Sequence, residues 1–146
     1  MGVSLHYRGK LADIQQVKSI CKELTDIATS MNSPWVSMDE DWSQSANTRV
    51  TATEYGTQIV GHLPLKGIQF TPNPACEPLR FLFDSEGNLR DPMSMTMILE
   101  GSLEPENAWI SVKTQFSSPE THVWIVGLFK YLKMRYIPDL EVSDEG

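Results

Sequence analysis

Three carboxylates in a row, Asp39-Glu40-Asp41, stand directly before Trp42 and form the sharpest acidic group in the chain. Carboxylate oxygens at a strand end suit Mg²⁺ or Ca²⁺, hard cations that prefer oxygen ligands. That chemistry would be a divalent-metal-dependent enzyme or sensor using Asp39, Glu40 and Asp41. The run lacks the ligand spacing of an EF-hand loop. A solvated acidic strand end also discourages edge pairing without any metal.

Cations make the second candidate group. His6 and Arg8 fall on the polar side of one alternating segment, Trp109 and Lys113 on that of another, and Arg80 on that of a third. If those segments are neighbours in a sheet, His6, Arg8, Arg80, Trp109 and Lys113 form a cationic patch with an aromatic. Such a patch would take a carboxylate, a phosphate or an acidic peptide, a small anionic ligand in each case. Ordinary cross-strand charge pairing is the plainer explanation.

Other chemistries find little support. His6, His62 and His122 form no HxH, HExxH or Cys–His pattern of a zinc site. His62 could approach Cys76 and Glu77 across a loop, although three separate turn residues account for it as well. There is no Gly-x-Ser-x-Gly elbow, and no glycine-rich loop followed by Lys-Ser/Thr. Cys76 lies beside Glu77, whose charge disfavours a thiolate. Cys21 lies on an apolar stripe and reads as a small core residue. The setting reads as reducing, so a structural disulfide is not expected. No cofactor motif is legible.

These groups must be carried by elements, and the clearest lie at the two ends of the chain. Residues 3–8 alternate Val3, Leu5, Tyr7 with Ser4, His6, Arg8, the period of a half-buried strand. Asp13 with Gln16 has the spacing of a capping box. Ile14, Val17, Cys21, Leu24, Ala28 and Met31 then recur at helical steps, predicting an amphipathic helix over about residues 13–31. Asn32-Ser33-Pro34 stops it, and residues 35–38 read as a strand. At the other end, Ile110, Val112, Thr114 and Phe116 alternate with Ser111, Lys113 and Gln115. Within Ser117-Ser118-Pro119-Glu120, Ser118 reads as N-cap and Pro119 as the first helical residue. That helix carries Trp124, Ile125, Leu128, Phe129, Tyr131, Leu132 and Tyr136, ends at Pro138, and leads into a strand at 140–143. Its apolar stripe is wide enough to suggest burial on two sides or a partner, with the Thr71–Pro78 loop as one cover.

The two ends thus share a plan of strand, capped helix, proline, strand and acidic tail (Asp39-Glu40-Asp41 in one, Asp144-Glu145 in the other). Between them lie short strands: Thr48–Glu54, Leu65–Phe70 with a bulge expected at Gly67, Leu79–Phe83, and an alternation of Met95, Met97 and Leu99. The loop from Thr71 to Pro78 is stiffened by Pro72, Pro74 and Pro78.

A chain of 146 residues with 40% apolar side chains and four Trp fits one globular domain, residues 1–146. The formal charge of −7, from 19 acidic and 12 basic side chains, argues against a nucleic-acid partner. No membrane-length apolar run and no signal-peptide pattern are present, so the expected location is cytoplasmic, with no membrane partner. A chain that stops in an acidic strand tail leaves open whether Gly146 is a natural end. The expected fold is α+β: a mainly antiparallel sheet of roughly five to seven strands with two helices on one face, built from two strand–helix–strand units flanking a β-meander. The expected function is a non-catalytic binding or interaction protein that self-associates as a homo-oligomer or meets a protein partner. The metal-dependent and anion-binding readings stand as alternatives.

Overall fold

The computed structural model describes residues 4–114 and 118–144. In chain order the elements are β1 (Ser4–Arg8), α1 (Val17–Ser30), β2 (Trp35–Asp39), β3 (Arg49–Thr53), β4 (Gly56–Val60), β5 (Lys66–Phe70), β6 (Leu79–Phe83), α2 (Pro92–Leu99), β7 (Ile110–Lys113), α3 (Pro119–Arg135) and β8 (Glu141–Asp144). Short 3-10 turns precede α1 (Ile14–Gln16) and β7 (Pro105–Asn107). Of the residues expected in strands, caps and acidic tails, Val3, Gln115, Phe116, Ser117 and Glu145 lie outside the described set.

The fold is α+β, and every strand pairing is antiparallel. Among the described residues three sheets form, in the orders β7-β1-β8, β2-β5-β6 and β3-β4. The back end of the chain is a split strand–helix–strand unit. β7 and β8 flank β1, which is inserted between them, and Leu5 lies opposite Val112. The front unit departs from expectation: its strands β1 and β2 join different sheets. Helix α1 crosses from the first sheet to pack on β5 and β2.

Both long helices share one interior with the two larger sheets. Ile20, Leu24 and Ala28 of α1 and Ile125, Phe129 and Leu132 of α3 are buried with Leu5, Tyr7, Ile68, Phe81 and Val112. The Tyr7 and Phe129 rings meet at 4.7 Å, and Trp124 stands edge-on to Phe70 at 6.4 Å. The wide stripe on α3 is largely covered from within. Tyr131 and Tyr136 both donate to Glu23 of α1, the first at 2.7 Å.

Local chemistry sets the helix starts. The Asp13 side chain accepts from Gln15 N at 2.9 Å and opens the turn into α1. Ser118 accepts from Thr121 N at the start of α3, with Pro119 at the first helical position. Residues 95–99, expected as a strand, belong to α2. Asp91 caps that helix by accepting from Ser94 N at 2.7 Å, and Ser94 Oγ accepts in return from Asp91 N. This reciprocal box and Pro92 outweigh a methionine alternation too short to set a period.

The two larger sheets join at a seam of polar contacts. Glu77 N donates to Lys113 O at 3.1 Å, and Glu77 Oε1 accepts from Lys113 N at 2.8 Å. Leu89 N donates to Gly9 O at 2.9 Å. No bulge forms at Gly67. The β5–β6 ladder runs straight through it, but its φ of 154° and its packing exclude a side chain, since a Cβ there would sit 2.0 Å from Phe81 O.

Candidate functional site

The acidic run is drawn apart by its partners. Asp39 is the last residue of β2, and Glu40 and Asp41 lie in the loop that follows it. Asp39 Oδ1 takes Lys66 Nζ at 2.9 Å, and this hydrogen bond and charge hold its carboxyl below the usual carboxylate range. Asp41 Oδ1 instead accepts from the amide and hydroxyl of Ser43, at 2.8 and 2.7 Å, and these bonds lower its pKa too. Among the described residues no cluster of three or more His, Cys, Asp and Glu side chains is arranged to hold a metal ion. His62 packs by the Asp41 carbonyl, Nε2 to O 2.9 Å, whereas Cys76 and Glu77 sit at the seam with Lys113.

The cationic residues are gathered in part. His6 lies opposite Ser111 and Ser143, Ser4 opposite Lys113, and Arg8 opposite Glu141, on the outward side of the β7-β1-β8 sheet. His6 Nδ1 and Ser111 Oγ are 2.6 Å apart. The Arg8 guanidinium stacks 4.2 Å from the Trp109 ring centre, donates to the Glu106 carbonyl and pairs with Glu141 at 3.2 Å. Arg8 is thus held by three partners. Arg80 belongs to the other sheet, where its Nε donates to Gln69 at 3.3 Å.

Two features were not legible in the sequence. One is a chain of contacts across three elements: Thr114 Oγ1 to His122 Nδ1 at 2.8 Å, and His122 Nε2 to Asp144 Oδ2 at 3.0 Å. It resembles a hydroxyl–imidazole–carboxylate relay. Thr114 is only 3% exposed, so a substrate cannot reach its hydroxyl, and the arrangement acts as a clip joining β7, the first turn of α3 and β8.

The other is a groove of about 530 Å³ beside the acidic run. Val17, Lys18 and Cys21 of α1 form one wall, and Asp39, Lys66 and Trp42 the other. Trp42 Nε1 donates to Phe83 O at 3.1 Å, which fixes the indole, and Lys66 Nζ lies 5.3 Å from its ring centre. Burial, with a smaller push from Asp39, raises the Cys21 thiol to about 11, so it lines the groove as a neutral group.

β2 is also a sheet edge. Thr71 N donates to Pro34 O and Glu40 N to Leu65 O, so these flanking residues turn toward β5. Alternation turns the backbone groups of Trp35, Ser37 and Asp39 outward. Trp35 is 42% and Val36 60% exposed. Neither a family model, a curated protein nor a solved structure matches the chain.

Proposed function

We propose that this chain is a non-catalytic interaction domain that self-associates, a second copy pairing antiparallel along the outer edge of β2. The observation that carries the reading is the unguarded state of that edge. Trp35–Asp39 contains no proline and no lysine, its ladder to β5 is unbroken, and two large apolar side chains stand in water on it. Natural sheets guard such edges with bulges, proline or charge. The one charge within the strand, Asp39, is drawn to Lys66 of the same sheet.

The strand is complementary to itself. In a two-fold register centred on Ser37, Trp35 lies opposite Asp39 and Val36 opposite Met38. Glu40 and Asp41 then extend past Pro34 and Ser33, so no like charges face each other. The outward amides and carbonyls of Trp35, Ser37 and Asp39 all find partners in this register.

Other surfaces support the reading less. The polar sheet face has its strongest cation, Arg8, held by Trp109, Glu106 and Glu141. The wide stripe of α3 is tied to α1 through Glu23. Sedimentation velocity from micromolar to near-millimolar concentration tests the proposal. The expected result is a monomer–dimer equilibrium that Val36→Lys abolishes; a strict monomer throughout would contradict it.

A further inference from the structure

We propose that the groove between α1 and the β2–β5 pair binds a small amphipathic carboxylate, with the apolar body of the ligand against Trp42 and Val17 and its anionic group toward Lys18 and Lys66. The groove shares Ser37, Met38 and Asp39 with β2, but the rest of its lining comes from the α1 region, Trp42 and β5 and does not require a second copy.

Size and shape come first. A volume of about 530 Å³ falls within the range of roughly 300–1,000 Å³ typical of small-ligand sites. One wall is a rigid aromatic, since the Trp42 indole is anchored to the Phe83 carbonyl. Ile14, which lines the groove, is 40% exposed, which leaves apolar surface in water that a hydrocarbon or aryl group would cover.

Charge then selects the ligand. Two lysines, Lys18 and Lys66, face one carboxylate, Asp39, inside a chain whose formal charge is −7. The lining itself thus carries one more cation than anion, with the Asp41 carboxylate near enough to feel Lys66. Both residues of this pair line the groove, the Lys66 side chain 29% exposed and Asp39 85% exposed. An ammonium has three donors, and Asp39 occupies one of them. An incoming carboxylate can join or replace Asp39 on Lys66 while Lys18 closes from the helix. Cys21, held neutral, adds apolar lining and no nucleophile, so binding is reversible and no covalent step is involved.

The test is a two-dimensional ¹⁵N NMR titration of the full chain with sodium octanoate, with octylammonium and acetate as comparison ligands. Octanoate is expected to shift the Trp42 indole N–H and the amides of Lys18 and Cys21 saturably. Octylammonium lacks the charge and acetate the apolar body, so each should bind at least about tenfold more weakly. Lys18→Glu changes an exposed side chain and should weaken octanoate about tenfold with the spectrum otherwise intact. Cys21→Phe fills the groove and should block binding in a chain whose thermal unfolding stays cooperative. Shifts centred elsewhere, no saturation, octylammonium binding as tightly as octanoate, or undiminished binding by a folded Lys18→Glu chain would each overturn the proposal.

Discussion

The hydroxyl of Tyr7 bonds both backbone groups of Arg80, donating to its carbonyl at 2.6 Å and accepting from its amide at 3.1 Å. Arg80 lies in β6, whose other side pairs with β5, so Tyr7 satisfies the backbone groups that Arg80 turns away from β5, while the 88–90 segment bridges the same edge further along. One fully buried phenol thereby links the two larger sheets. Among the described residues no strand pairs with the outer edge of β2, and that contrast underlies the proposed self-association.

Tyr7→Phe keeps the ring packing against Phe129 and removes the hydroxyl. It leaves an amide and a carbonyl without partners in the interior, at a cost of about 1–3 kcal/mol. At about 3 °C per kcal/mol for a chain of this size, calorimetry should show a clear fall in Tm.

The same phenol predicts a pH limit. Burial raises its pKa well above the ordinary value near 10, against the smaller lowering effect of its bond from the Arg80 backbone. The unfolded chain therefore loses this proton first. Stability contributed by the neutral phenol is full below about pH 10 and is lost as pH climbs toward the raised folded value. Tm measured from pH 8 to 12 should drop above about pH 10, and less steeply in Tyr7→Phe. An equal slope in both proteins would remove Tyr7 as the cause.

Gly67→Ala should be among the most damaging single changes in the chain. The new methyl would lie 2.0 Å from Phe81 O and 2.9 Å from Leu82 Cα, both backbone atoms that cannot turn aside. Relieving that overlap means separating β5 from β6, with an expected loss of about 3 kcal/mol or more in denaturant unfolding.

His122→Ala opens the clip between Thr114 and Asp144. Thr114 loses its bond to His122, and β8 loses one tie while keeping its ladder to β1 and the Arg8–Glu141 pair. The expected cost is about 1–2 kcal/mol, read as faster amide hydrogen exchange along β8 than along β5. Uniform acceleration across both strands would show that the contact stabilises the whole fold and not this edge.

How much of this was legible in the sequence depends on distance along the chain. Helix α1 could be read from its stripe, and α3 from Ser118-Pro119, because those signals lie within a few residues of each other. The inward alternation of Leu5 with Tyr7, and of Ile110 with Val112, placed four core residues correctly. Which sheet each strand joins was not legible. The Tyr7–Arg80 link spans 73 positions, and nothing local distinguishes β2 from β8 as a neighbour for β1. The site was hidden for the same reason. Asp39 and Lys66 are 27 positions apart, so the acidic run gave no sign of its cation, and the groove draws its lining from residues 14–67. His6, Arg8, Trp109 and Lys113 could be grouped because β1 and β7 alternate in step; Arg80 alternates equally well but in a different sheet.

The pairing of two copies along β2 is tested most directly by cysteine cross-linking at Ser37, in a chain carrying Cys21→Ser and Cys76→Ser. A hydrogen-bonded antiparallel pair places opposed Cα atoms about 5.5 Å apart, within the span of a disulfide, whereas residues one step off the two-fold axis lie beyond it. Ser37→Cys should therefore form a covalent dimer under mild oxidation, and Val36→Cys should remain largely monomeric. Failure of Ser37→Cys to cross-link, or equal cross-linking at both positions, would contradict the proposed assembly.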